Sequence, residues 1–145
     1  MKKLNEMKLT LQSRSVNEGF ARSAVAAFVA TLDPNIEELA DVRTAVSEAV
    51  TNCVVHAYRE KIGNIYITAA IHENNRVVIK IRDKGCGIED INRAMEPLYT
   101  SAPGEERAGL GFAVMQSLCS RVRVSSRAGR GTTVTLVKAI SAKEA

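Results

Sequence analysis

The stretch Val77-Val78-Ile79-Lys80-Ile81-Arg82-Asp83-Lys84-Gly85-Cys86-Gly87-Ile88 decides how this chain is read. Its first half alternates apolar and polar residues, the mark of a strand with one buried face. Asp83 ends the run, and glycines follow at once at 85 and 87. A strand that stops at a carboxylate and opens into a glycine turn presents a side-chain acceptor beside bare backbone. Glycine permits φ > 0 and lets a ligand come close. By itself Asp-x-Gly-x-Gly describes a tight turn, so its meaning depends on what the rest of the chain brings to it.

Upstream, Ile65, Ile67, Ala69 and Ile71 also alternate, and the polar link Glu73-Asn74-Asn75-Arg76 joins the two runs as a β-hairpin. Before it lies a long helix over about 34–57, with Asp33 expected as N-cap and Pro34 at the first helical position. Its apolar stripe is Ile36, Leu39, Val42, Val46, Val50, Cys53 and Ala57. An earlier helix runs to about Leu32, opened by a capping box of Ser15 and Glu18 and carrying Phe20, Ala24, Ala27, Phe28 and Leu32 at helical spacing. Met7, Leu9 and Leu11 mark a short first strand. Downstream, one or two helical turns are expected over 90–95, then a loop over 97–108 rich in proline and polar residues. Gly109-Leu110-Gly111 opens a third helix over 112–119 with Val114 and Leu118 facing inward. Val122 and Val124, then Val134 and Leu136, make a last hairpin around Ala128-Gly129-Arg130-Gly131, and a frayed tail over 141–145 ends the chain.

Strands cluster in hairpins in the order βααββ, loop, αββ. That order predicts an α+β fold: a two-layer α/β sandwich with a mixed, mostly antiparallel sheet and helices on one face. Regular βαβ alternation is absent, which argues against a doubly wound nucleotide fold. The 145 residues fit a single domain, 1–145.

Composition narrows the function. Hydrophobic residues make up 46% and charged residues 25%, as in a soluble globular domain. There is no apolar run of membrane-spanning length and no secretory signal pattern, so a cytoplasmic protein without membrane contact is expected. Cys53, Cys86 and Cys119 are far apart and form no Cys-x-x-Cys pair, which argues against a disulfide frame or a zinc site. The net charge of +4, with aromatics at 4% and no Trp, does not make a nucleic-acid surface. That charge is read as a solvated surface able to attract nucleotide phosphates or an acidic protein.

Chemistry-bearing residues fall in four places. Glu48, Asn52 and His56 stand at i, i+4 and i+8 on the second helix, on a face roughly opposite its apolar stripe. A carboxylate there suits a general base, and an amide oxygen suits a hard Mg²⁺ ion. Asp83 with Gly85 and Gly87 is the second place. Gly109-Leu110-Gly111 opens a helix whose N–H groups suit phosphate, with Arg107 just before it. Gly131-Thr132-Thr133 begins a strand.

Taken in order, these segments resemble the N, G1 and G2 boxes of the gyrase, Hsp90, histidine kinase and MutL superfamily, the Bergerat (GHKL) ATP fold. Within it, residues 5–34, SEAVTNCVVHAY (47–58) and GLGFAVMQSL (109–118) resemble the bacterial anti-sigma serine kinases, the sporulation branch acting on sigma F more than its stress-response cousin. The resemblance implies ATP/ADP and Mg²⁺ as cofactors. It implies that Asp83 binds the adenine amino group, that Gly85 and Gly87 leave room for base and lid, and that Asn52 holds Mg²⁺. Glu48 would take the proton of a substrate serine, and Arg107 would neutralise the γ-phosphate. Residues of about 90–108 would form an ATP lid, with Thr100 and Ser101 in the nucleotide site. Gly109, Leu110 and Gly111 would contact phosphates, and Thr132 or Thr133 would support Asp83. Implied partners are sigma F, a small anti-anti-sigma protein (SpoIIAA) as phosphoacceptor, and a second copy in a homodimer, with Arg22 at the sigma contact. The competing readings are a stress-response anti-sigma kinase, a detached histidine-kinase ATP domain, and a module that holds nucleotide without transferring phosphate.

Overall fold

The computed structural model describes residues 2–88, 91–95 and 111–141. In chain order these form β1 (Lys3–Gln12), α1 (Val16–Val29) with a 3₁₀ turn Ala30–Leu32, and α2 (Ile36–Asn52) continued by a π-helical turn Cys53–Ala57. Then follow β2 (Asn64–His72), a 3₁₀ link Glu73–Asn75, β3 (Arg76–Asp83), α3 (Ile91–Ala94), α4 (Gly111–Leu118), β4 (Arg121–Arg127) and β5 (Gly131–Ala139). The two-layer α+β expectation holds. The sheet runs β1-β2-β3-β5-β4, and every pairing among the described residues is antiparallel rather than mixed.

Register places the apolar set of each strand on the helix side. Leu9, Ile67, Ile81, Val134 and Val124 stand side by side across all five strands, and Met7, Ala69, Ile79, Leu136 and Val122 form the next row. Ile67, Ile79, Ile81 and Leu136 are almost fully buried there, each contributing roughly 1.5–3 kcal/mol by burial. The row after those begins Leu11, Ile65 and then reaches Asp83, a carboxylate at a core-facing position of β3. Alternation alone therefore aims Asp83 into the helical layer.

The helix starts differ from the sequence expectation. α2 is capped by Asn35, not Asp33: the Asn35 side chain accepts from Glu38 N–H at 2.7 Å, and Glu38 Oε1 accepts from Asn35 N–H at 2.9 Å. A cap at Asp33 would put Ile36 where the returning carboxylate must be, so the Asn35–Glu38 pair wins. Asp33 instead takes a left-handed conformation, φ 53°. Ser15 makes no side-chain cap on α1, because its own backbone is helical, φ −59° and ψ −30°, where an N-cap residue is extended; the Glu18 carboxylate is engaged by Arg22 one turn on, at 3.2 Å. Ile36 is exposed rather than part of the buried stripe of α2. On α4 the fully buried side chain is Met115, and Val114 and Leu118 are only half-buried. Ser141 is tied by its N–H to Glu38 Oε2 at 2.7 Å, so the expected fraying does not begin there, and 142–145 lie outside the described residues.

Candidate nucleotide site

α2 carries Glu48 and Asn52 to the helix–sheet boundary. Glu48 is 2% exposed, so it does not sit on a solvated face opposite the apolar stripe as the helical wheel suggests. The start of α4, which packs on α2, covers it. A Cβ on Gly111 would lie 3.3 Å from Asn52 Oδ1 and 3.4 Å from Glu48 Oε2. The Gly111 backbone thus lies directly over this carboxylate–amide pair, and a Cβ there would press Asn52 by a few tenths of an ångström while standing in contact with Glu48. His56 does not extend the pair. The π-helical turn after Asn52 rotates it out of phase, and its carbonyl accepts from the Cys86 thiol at 3.3 Å.

Asp83 lies at the other end and is buried. Its Oδ1 accepts from Gly85 N–H at 2.9 Å and from Thr132 N–H at 3.2 Å, while Oδ2 accepts from the Cys53 thiol at 3.6 Å. Burial raises the carboxyl above the usual Asp range, and these three donors pull it partly back. Burial and then the Asp83 carboxylate push the Cys53 thiol well up, so it stays protonated as a donor. Thr132 is therefore brought to Asp83. Thr133 pairs with Arg82 and points to the opposite face of the sheet.

The glycine turn is clamped between two elements. Cys86 N–H donates to Ala57 O at 3.1 Å, and a Cβ on Gly85 would run into that same Ala57 backbone. Gly87 has φ +75°, and a Cβ there would meet the Arg127 carbonyl, so position 87 is closed to other residues on both counts. Sequence reasoning missed three supports of this turn. The Tyr58 hydroxyl accepts from Lys84 N–H at 2.6 Å and donates to Asn64 O at 2.7 Å. The Ser126 hydroxyl accepts from Ile88 N–H at 2.8 Å and lies 2.7 Å from the Thr132 hydroxyl. Cys53 holds Asp83 from below. No motif spacing flags them, since each acts through tertiary contact.

Thr100, Ser101, Arg107, Gly109 and Leu110 lie outside the described residues, as does the expected lid apart from 91–95. Arg22 stands elsewhere, on α1, where it bonds Glu18 at 3.2 Å and the Ser47 hydroxyl at 3.4 Å. It lines a cleft of about 430 Å³ between α1 and α2 together with Arg43 and Thr44.

The described site is thus a buried carboxylate fixed by backbone beside a glycine turn, and a carboxylate–amide pair under a glycine helix start. Residues 10–138 match the family described as Histidine kinase-like ATPase domain, and the chain belongs to that family. Within it, the chain's relatives include proteins named anti-sigma F factor. The protein of that name from Thermoanaerobacter sp. (strain X514) is 54% identical over 140 residues, covering 97% of each chain. The one from Pasteuria penetrans is 49% identical, covering 97% of this chain and 94% of its own. The one from Clostridium acetobutylicum is 48% identical, covering 92% and 93%. Among solved structures, the RsbU and RsbW domains of a Mycobacterium tuberculosis protein match with a TM-score of 0.70 at 22% identity. That match spans 98% of this chain and 35% of the other. The histidine kinase domain of Erythrobacter litoralis EL346 matches with a TM-score of 0.56 at 18% identity. These two likenesses concern the fold alone. No helix among the described residues is long and apolar enough to cross a membrane.

Proposed function

We propose that this chain is an anti-sigma factor and an ATP-dependent protein serine kinase, acting in the cytoplasm as a single-domain homodimer. The observation that carries the reading is the convergence of Glu48 and Asn52 on the bare Gly111 backbone, with Asp83 held in place at the far end of the same layer. The residues fit Mg·ATP. Asp83 offers a fixed acceptor for an exocyclic amino group, Asn52 offers a hard oxygen for Mg²⁺, and the opening turn of α4 offers N–H groups to phosphate. Mg·ATP supplies the γ-phosphoryl group and the charge-neutralising metal when bound.

The rest falls to the chain's own residues. Glu48 would take the hydroxyl proton of a substrate serine while the serine oxygen replaces the β–γ bridging oxygen on phosphorus and ADP departs as the leaving group. Gly85 and Gly87 let the turn pack directly on the Ala57 and Arg127 backbone, which keeps Asp83 at the base end of the site. Thr132 and Ser126 hold Asp83 and the turn in register. Arg107, with Thr100 and Ser101 in the lid and Gly109 and Leu110 at the phosphates, completes the nucleotide contacts. The substrate is a small anti-anti-sigma protein, SpoIIAA in the sporulation branch, and the sequestered partner is sigma F. The shared name of the relatives at 48–54% identity supports sigma F over a stress-response sigma factor. Arg22 is the proposed sigma contact. Its Nε is buried and has no hydrogen-bond partner among the described residues, and it borders an open cleft.

Reconstituted transcription tests the anti-sigma half. With ATP present, the protein is expected to suppress transcription by RNA polymerase carrying sigma F and to leave transcription by a stress-response sigma factor unchanged. Undiminished sigma F transcription at saturating protein contradicts the reading.

A further inference from the structure

The helices cover one face of the sheet, and the other face carries a different chemistry. There the register sets Lys8, Thr68, Lys80, Thr135 and Arg123 side by side across all five strands. The next row is Thr10, Tyr66, Arg82, Thr133 and Ser125, and Arg121 ends the row on the other side. Lys80, Arg82, Arg121 and Arg123 are exposed. With strands about 4.8 Å apart and two residues spanning about 7 Å, cations recur every ~7–10 Å over this face, beside a row in which Ala70, Val78 and Val137 stand between Glu6 and Arg121. Threonines sit between them, so no two like charges stand directly opposite, where they would destabilise the pairing. Among the described strand residues of this face the one carboxylate is Glu6, already held by Lys3 at 2.6 Å and Lys8 at 4.0 Å. The helical layer is unlike this: Lys138 is paired with Asp41 and Arg22 with Glu18.

We propose that this face is a docking surface for an acidic protein segment, whose carboxylates fall between the cationic rows. Charge complementarity selects that occupant. A second copy would set cations against cations. Single-stranded nucleic acid needs free aromatic faces for its bases. The aromatic on this face, Tyr66, already has the Arg82 guanidinium and the Lys84 ammonium 5.0 and 5.1 Å from its ring centroid. The surface lies on the opposite side of the sheet from Glu48 and Asp83, so it binds independently of nucleotide.

Titrating the ¹⁵N-labelled protein with an oligoglutamate peptide at low salt is expected to shift the amides of Lys80, Arg82, Arg121 and Arg123, and added salt weakens the binding. Lys80→Glu with Arg123→Glu is expected to lower peptide affinity roughly tenfold or more and to leave ATP affinity unchanged, which also reports an intact fold. Should that pair not fold, Lys80→Gln with Arg123→Gln is expected to give a smaller loss in the same direction. Equal affinity in the folded variants, shifts confined to the α1–α2 cleft, or tighter binding of a single-stranded oligonucleotide to the same residues overturns the proposal.

Discussion

Glu48→Gln is expected to lower phosphoryl transfer to a serine of the anti-anti-sigma protein by roughly 10²–10⁴-fold, the range a positioned general base supplies, with ATP affinity unchanged. Glutamine keeps the shape of a side chain that is 2% exposed beneath the start of α4. It removes the one property the proposal uses, a lone pair basic enough to take the serine proton. Single-turnover transfer from labelled ATP, beside a nucleotide titration of the same variant, checks both halves. Transfer at the wild-type rate removes Glu48 from the chemistry. Loss of binding together with transfer would instead make it a positioning residue for the nucleotide or its metal.

Asp83→Asn separates binding from stability. The carboxylate holds its place by accepting three hydrogen bonds, from Gly85, Thr132 and Cys53. An amide retains an oxygen for the two backbone donors but turns a donor toward the remaining direction, where an adenine amino group also donates. A hydrogen bond to a charged group contributes about 1.5–3 kcal/mol, so ATP affinity is expected to fall by roughly 10–100-fold. The fold is expected to survive and to gain stability at neutral pH. Burial raises the folded-state carboxyl above its ordinary value of 3.8. The folded protein therefore binds that proton more readily than the unfolded chain does. Its stabilising effect is complete below that ordinary value and is lost as pH rises through the raised folded value. The amide carries no such dependence, so the Tm of Asp83→Asn relative to wild type should climb across this window. A variant that melts well below wild type at neutral pH, or one that binds ATP as before, contradicts the role given to Asp83.

The sheet was legible because one of its faces is buried. Ile65 to Ile71, Val77 to Ile81 and Val134 to Leu136 alternate, and the same phase carries Asp83 inward. The hairpins β2–β3 and β4–β5 follow from short polar links. The insertion of β5 between β3 and β4, and the pairing of β1 with β2, are long-range choices that no local pattern records. The helix wheel failed at Glu48 for a related reason. A wheel identifies the face turned toward the sheet, whereas α4 arrives from a distant part of the chain and covers a second face. Asp83 stands out by its strand phase and the glycines after it, and Asn52 by its place one turn after Glu48, while the roles proposed for both rest on the family resemblance. Tyr58, Cys53 and Ser126 do not stand out, because each supports the turn through contacts 26 to 38 residues away in sequence. The cap of α2, Asn35, stands two residues beyond Asp33 of the Asp33-Pro34 start signal. A Pro after Asp33 is a common start signal, yet Glu38 can return a hydrogen bond only to Asn35.

The most direct test of the account combines wild-type protein, γ-labelled ATP with Mg²⁺, and the anti-anti-sigma protein, and asks what bond the label enters. Acid-stable phosphoserine on the anti-anti-sigma protein, dependent on Glu48, is the expected result. Acid-labile label, as from phosphohistidine, or bound nucleotide with no transfer at all, would contradict it.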